Sequence, residues 1–329
     1  MQKITRDALI QKANELLTNG TVTRVLGWKK GEFSYDVTPA IFTSVEDMNA
    51  NFVFDDFAGA NFSKYLVKET RKEEGKVLVF LKPCDTYSFN QLLTEHRFDR
   101  EKVYAVGIPC EGMVDINAIK LALGDGIVSV NTDADTLKVE TLYDGTKEIA
   151  KADVLLERCK NCKSKKHVAF DELLGEDGEV IENNRFDQVA ELEKMSADER
   201  FAFWQNELSR CIRCNACRDA CPACTCEKCV FDNPNSGVEN KSPANSFEEK
   251  LFHIIRAFHV AGRCTDCGEC SRVCPQNIPL HLLNRKFIKD INSFYGEYQA
   301  GEEVGSRAPL VNYTKEDIEP IDAVNRGDE

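Results

Sequence analysis

The stretch RCIRCNACRDACP, residues 210–222, recurs at residues 263–275 as RCTDCGECSRVCP. Each copy spaces four cysteines by two, two and three residues and follows the last with proline: Cys211, Cys214, Cys217 and Cys221 before Pro222, then Cys264, Cys267, Cys270 and Cys274 before Pro275. Two-residue gaps let a tight turn wrap three thiolates round one face of a small body. The longer gap carries the fourth cysteine onto a helix pointing the other way, and proline turns the chain where no amide donor is needed. Both copies are reached from helices. Ser196 with Glu199 forms a capping box, and Phe201, Trp204 and Leu208 then share one face and lead to Cys211. Ser246 with Glu249 opens a second helix, striped by Leu251, Ile254, Ile255 and Phe258, that ends at Gly262 and leads to Cys264.

The doubled spacing is the two-cluster iron–sulfur pattern, in which three cysteines of one run and the last of the other hold each 4Fe-4S cube. Cys211, Cys214, Cys217 and Cys274 are therefore assigned to one cluster, and Cys264, Cys267, Cys270 and Cys221 to the other. Zinc sites fit less well, because structural zinc takes its four ligands as two separated pairs. Two cubes in one helical module form an electron wire, since neither needs a substrate to approach it.

The whole chain has 329 residues, 42% of them apolar, which is enough for about two domains with a real core. Of its fifteen cysteines, eleven fall between Cys211 and Cys274. An odd total argues against a complete disulfide framework. Asp7 and Glu15 interrupt the opening MQKITRDALIQKANELL where a signal peptide needs an apolar run, so a cytoplasmic protein with reduced thiols is expected. No apolar stretch approaches the ~18 residues of a membrane span, which leaves no direct membrane insertion to expect. The net charge of −13 disfavours nucleic acid as a partner.

Residues 1–170 alternate helix and strand signals. Thr5 caps a helix carrying Leu9, Ala13, Leu16 and Leu17, and Gly20 ends it. Residues 77–81 (VLVFL), 103–108 (VYAVGI) and 154–156 (VLL) read as buried strands, with a crossover helix over 87–95 that makes the arrangement parallel. Each strand runs into cysteine: Cys84, Cys110, and the pair Cys159 and Cys162. The carboxyl ends of parallel strands share one edge, where ligands bind, so these four thiols converge into a third site that suits an iron–sulfur cluster or zinc.

Residues 171–195 are acidic and weakly patterned and read as a linker. Residues 196–293 form the helical two-cluster domain, and 294–329 an acidic tail, an extended arm or flexible end. Cys224, Cys226 and Cys229 remain unplaced, as a zinc or further metal site or as free thiols beside the clusters. His253, His259 and His281 read as packed or supporting side chains. Arg158, Lys160, Lys163, Lys165 and Lys166 make a basic island. It either neutralises an anionic cluster or forms a docking patch for an acidic small ferredoxin.

The segments KPCD (82–85), VGIPCEG (106–112) and ERCKNC (157–162) resemble the beta-subunit family of coenzyme F420-reducing hydrogenases and dehydrogenases. RCIRCNACRDACPACTCEKC and HVAGRCTDCGECSRVCPQNIPL resemble the dicluster part of anaerobic bacterial relatives, including third subunits of electron-bifurcating transhydrogenase-like complexes. The resemblance covers most of residues 70–290. It implies a subunit passing electrons between a flavoprotein and a low-potential carrier, and carries FAD as a further implied cofactor. No G-x-G-x-x-G or Walker sequence accompanies it.

The expected architecture is an α/β domain with a partly parallel sheet followed by a mainly α-helical dicluster ferredoxin domain. The expected function is electron relay in a cytoplasmic hetero-oligomeric oxidoreductase, between flavoprotein subunits and ferredoxin, with bifurcation among its settings. A flavin-binding catalytic subunit that reduces a deazaflavin is the alternative.

Overall fold

The structure is a computed structural model that describes residues 4–72, 75–163, 166–179, 184–232 and 246–311. Among the described residues, eight strands lie in two sheets: β1 (Arg24–Lys30), β2 (Val37–Phe42), β3 (Val77–Leu81), β4 (Val103–Gly107), β5 (Ile127–Asp133), β6 (Thr136–Thr141), β7 (Gly145–Ala150) and β8 (Glu172–Leu173). The main sheet runs β2-β1-β3-β4-β8, parallel throughout except for β2.

Helices α1 (Arg6–Thr18), α2 (Val45–Asn51), α3 (Ser63–Lys72), α4 (Pro83–Thr94) and α5 (Ile116–Leu123) accompany the sheets. Thr5 caps α1 by accepting from the Ala8 amide, and Leu9, Ala13 and Leu16 are buried as the periodicity requires. All five residues of β3 are buried, as a strand covered on both faces must be. Pro83 opens α4, where its missing N–H costs no helix hydrogen bond. Trp28 of β1 packs at 4.3 Å from Phe62 and 5.2 Å from Phe54, ring centre to ring centre.

The third expected strand is not one. Residues 151–154 form a 3-10 turn, and Leu155 makes an isolated antiparallel bridge to Val114 in the turn beyond β4. Three apolar residues span too little chain to join a sheet, and the place beside β4 is taken by β8. That strand comes from the stretch read as a linker, which also supplies α7 (Asp187–Lys194) and the buried Arg185.

The small antiparallel sheet β5-β6-β7 was not read from the sequence, although its alternating burial could have disclosed it. It is pinned to the main sheet by Asp56, which accepts from Lys151 Nζ at 2.6 Å and from Thr132 Oγ1 at 2.5 Å.

The second half is helical: α6 (Glu157–Lys160), α8 (Ala197–Ser209), α9 (Ala216–Asp219), α10 (Ser246–Val260), α11 (Glu269–Arg272) and α12 (Leu280–Tyr295). The capping box of Ser196 and Glu199 is present. The side chains of Ser246 and Glu249, expected as a second box, lie outside the described residues. The stripe on α10 is corrected: Ile254 and Phe258 are exposed, whereas Phe252, His253, Arg256, Ala257 and Val260 are buried. Polar residues occupy the inner face because that face looks onto cysteines.

The expected tail is in part packed structure. Gln299, Ala300 and Ala308 are buried, and Gly301 (φ +77°) passes so close to α4 that an added Cβ would lie 1.9 Å from the Tyr87 carbonyl oxygen. Residues 312–329 lie outside the described residues. Among the described residues, no helix is long and apolar enough to cross a membrane.

Candidate metal centre

The two cysteine runs repeat in backbone as they do in sequence. Arg213 and Asp266, each two residues after the first cysteine, have φ of +53° and +59°, and Asn215 and Gly268, two residues further on, both have φ +64°. Left-handed residues at these places reverse the chain between cysteines and turn amides towards sulfur, so that the Arg213 amide donates to Cys211 Sγ at 3.4 Å. The short helices α9 and α11 then start at equivalent positions. Gly268 is required for a second reason: a Cβ there would meet Arg158 Cβ at 2.8 Å.

Cys211, Cys214, Cys217 and Cys274 line one small cleft, with Phe252 and His253 of α10 beside them. Cys264 has Cys267 and Cys221 as electrostatic neighbours, and Cys270 has Cys221 and Cys217. Cys274 of the second run thus lies with three cysteines of the first, and Cys221 of the first is an electrostatic neighbour of the second. Burial raises the Cys270 thiol to about 12 and pushes up Cys217, Cys264 and Cys267, in part through neighbouring thiolates. Thiols packed this way are stabilised as thiolates only by a cation or a metal centre.

Cations are built in. Arg256 is 6% exposed, and its electrostatic neighbours are Cys217, Cys221, Cys224 and Cys270. Its Nη2 donates to the Cys217 carbonyl, while its Nε is buried without a partner. Such an orphaned cationic donor among thiols fits an anionic group held by those thiols. Lys64 Nζ donates to the carbonyls of Cys221, at 3.1 Å, and Cys224. His253 Nε2 sits 3.2 Å from Cys211 Sγ, and Asn284 Nδ2 reaches Cys270 Sγ at 3.7 Å. His281 Nδ1 is hydrogen-bonded to Ser271 Oγ at 2.8 Å, and His259 is exposed.

Cys84, Cys159 and Cys162 of the first half come to one cleft, with Cys110 an electrostatic neighbour of Cys159 and Cys162, by a route the sequence did not disclose. Cys84 lies in the first turn of α4, Cys110 follows β4 and Ile108-Pro109, and Cys159 is on α6 with Cys162 just beyond it. Pairing of Leu155 and Leu156 with the turn at 113–115 brings α6 in, and the Met113 amide donates to Cys159 Sγ at 3.4 Å. Burial, followed by the charges of Cys159 and Cys162, moves the Cys110 thiol up to about 11. The fully buried Lys82 beside Cys84 and Cys110 is bonded to Asp85 (2.8 Å) and to the Ala60 carbonyl (2.9 Å). Cys84, Cys159 and Cys162 share a narrow cleft with Thr265, Asp266 and Cys267 of the second run. Cys110 meanwhile lines a separate cavity of about 420 Å³ with Lys30, Asp55, Phe57, Asn131 and Lys151.

Cys224 donates its thiol hydrogen bond to Cys221, which favours the Cys221 thiolate. Cys226 is exposed and Cys229 packs near Leu208 and Phe231. Among the described residues, no group of three or more Cys, His, Asp or Glu is arranged to hold a single metal ion, so the zinc expectations, for Cys224, Cys226 and Cys229 and for Cys84, Cys110, Cys159 and Cys162, find no support.

The basic island divides. Arg158 is 8% exposed and turned inward, Lys163 lies 3.8 Å from Glu297, and Lys160 and Lys166 are exposed. Lys165 lies outside the described residues. Sequence reasoning missed the inward role of Arg158, along with Arg256 and the buried His167, which bonds Asp177 and the Leu81 carbonyl.

Residues 207–278 match the family described as 4Fe-4S dicluster domain. The F420-dependent formate dehydrogenase subunit beta of Methanocaldococcus jannaschii is 25% identical over 354 residues, covering 90% of this chain and 92% of that protein. The chain is a homologue of these beta subunits. The F420-dependent formate dehydrogenase 1 subunit beta of Methanococcus maripaludis is 24% identical, covering 84% of this chain and 87% of its own length. A chain of the F420-reducing [NiFe] hydrogenase complex from Methanosarcina barkeri overlays with a TM-score of 0.35 at 14% identity, over 47% of this chain and 58% of that one. This beta-subunit homologue is thus an iron–sulfur electron-transfer protein of the oxidoreductase type.

Proposed function

We propose that the protein relays single electrons within a hetero-oligomeric oxidoreductase. The eight cysteines of the two runs would hold two 4Fe-4S cubes, and Cys84, Cys110, Cys159 and Cys162 a third. A 4Fe-4S cube supplies reversible one-electron chemistry. The chain's own contribution is to hold the thiolates, shield them from water, and set charge around them through Arg256, Arg158, Lys82 and Lys64. The observation that carries this reading is contiguity. Cys217 is an electrostatic neighbour of Cys270, and Cys267 shares a cleft with Cys84, Cys159 and Cys162. Three thiol groups in a row suit a relay between a flavoprotein subunit and a soluble carrier such as ferredoxin, in the cytoplasm and in settings that include bifurcation.

A second reading is favoured by the 420 Å³ cavity that Cys110 opens onto. Its charged and aromatic lining suits a flavin or a deazaflavin such as the F420 in the relatives' names, which would make the chain catalytic. Iron, sulfide and flavin analysis of anaerobically purified protein separates the two. About twelve irons per chain without flavin supports the relay. About eight irons removes the third centre, and a stoichiometric flavin with turnover in the absence of partners favours the catalytic reading.

A further inference from the structure

Arg158 stands between the strand-end thiols and the second cysteine run. Its Nη1 donates to the Cys267 carbonyl and to Glu269 Oε1 at 2.5 Å, and its Nη2 donates to the Gly59 carbonyl. Its own neighbour in sequence is Cys159, and it lines the cleft shared by Cys84, Cys159, Cys162 and Cys267. Glu269 is 2% exposed and also takes a two-pronged contact from Arg272, at 2.7 and 2.8 Å. The ensemble of Arg158, Glu269 and Arg272 therefore carries a net positive charge in a water-poor seam. Arg158 is the member next to thiols on both sides. Its Nε has no hydrogen-bond partner although it is buried. A fixed donor geometry on three sides, with one donor left over among cysteines, is more than an ion pair that ties two segments together.

We propose that Arg158 is a positioning residue that sets the relative ease of reduction of two adjacent centres, the strand-end centre (Cys84, Cys110, Cys159, Cys162) and the second-run centre (Cys264, Cys267, Cys270, Cys221), and fixes their spacing. The physical basis is elementary. Adding an electron to either centre increases negative charge, and a buried cation within a few ångströms favours the reduced form more than any exposed lysine can, because little water screens it. Arg158 acts through its charge and through the Cys267 backbone, and no part of it is consumed. The inference rests on the strand-end thiols holding an iron–sulfur centre, as proposed above.

The test is a redox titration of anaerobically purified protein followed by electron paramagnetic resonance, on the wild type, Arg158→Lys, Arg158→Gln and the double variant Arg158→Gln/Glu269→Gln. Iron is counted first. About eight irons per wild-type chain means the strand-end centre is absent, so the underlying reading fails rather than the role of Arg158. With about twelve irons, Arg158→Gln is expected to lower the reduced-to-oxidised ratio of both centres at least tenfold at a fixed applied potential, ~59 mV for one electron. It should also change the magnetic coupling between them. Arg158→Lys keeps the charge and restores most of the ratio. If Arg158→Gln does not retain iron, the double variant, in which Arg272 remains and the net charge of the seam is that of the wild type, carries the test. In it the strand-end centre, of which Arg158 is a neighbouring cation, still shifts. Potentials and coupling unchanged in the iron-loaded variants would overturn the proposal.

Discussion

His253 Nε2 lies 3.2 Å from Cys211 Sγ, from a helix whose opposite face is exposed. Burial, then Arg256 and Arg213, lower the imidazole pKa to about 3, so the ring is neutral at pH 7, and against a Cys211 thiolate the tautomer that forms the contact carries its proton on Nε2 and donates it to sulfur. Hydrogen bonds to cluster sulfur make reduction easier. His253→Leu is expected to lower the reduced fraction of the Cys211, Cys214, Cys217 and Cys274 centre about tenfold at fixed potential, ~59 mV. Iron content should stay at the wild-type level. Redox titration reads the shift, and an unchanged midpoint would mean the contact is only packing.

His281 supplies the pH dependence. Burial, with Arg285 adding repulsion, brings its pKa down to about 4, against ~6.5 for an unfolded histidine. Between those values the unfolded chain binds a proton that the folded chain does not. Stability is therefore fully present above pH ~6.5 and is lost as pH falls towards 4. At about pH 5.5 the loss should be ~1 kcal/mol. Thermal unfolding at neutral and mildly acidic pH checks this: His281→Gln should show a smaller acid-induced drop than the wild type.

Gly301 holds the segment after α12 against α4. With φ +77° and the Tyr87 carbonyl 1.9 Å from where a Cβ would stand, Gly301→Ala cannot be absorbed by a side-chain rotation. The backbone must move away, which is expected to cost ~2–4 kcal/mol. Limited proteolysis should then cut between residues 298 and 311, a segment that stays intact in the wild type.

Lys160 and Lys166 are the exposed remainder of the basic island. Reversing both, together with Lys163, is expected to slow reduction by an acidic ferredoxin roughly tenfold at low salt and to have little effect at high salt. Stopped-flow mixing at two ionic strengths measures this. Equal rates for the variant and the wild type at low salt would remove ferredoxin from this face.

Much of the molecule was legible in the sequence because local rules decide it. The cap at Thr5, the capping box at Ser196 and the covered strand at residues 77–81 depend on neighbours within a few residues or on a simple burial pattern. The misreadings share another cause. The VLL at 154–156 has the composition of a strand but pairs with a turn, and the acidic stretch after Asp171 contains the two residues that flank β4. In each case the partner lies more than 30 residues away, and composition carries no record of it. The inner face of α10 was misjudged because Arg256 and His253 count as polar, whereas what they face is a set of thiols.

The sequence by itself determined the candidate ligands: two runs of four cysteines at fixed spacing, because three thiolates can face one small body only if the chain reverses every few residues. The tertiary structure alone decided how the sites connect. Cys84, Cys110, Cys159 and Cys162 come from three separate elements. It is the packing of α6 against the second run, with Arg158 buried between Cys159 and Cys267, that places them next in line. A charge that reads as surface basicity becomes internal there, since burial depends on what the fold brings against a residue and not on its neighbours in the chain.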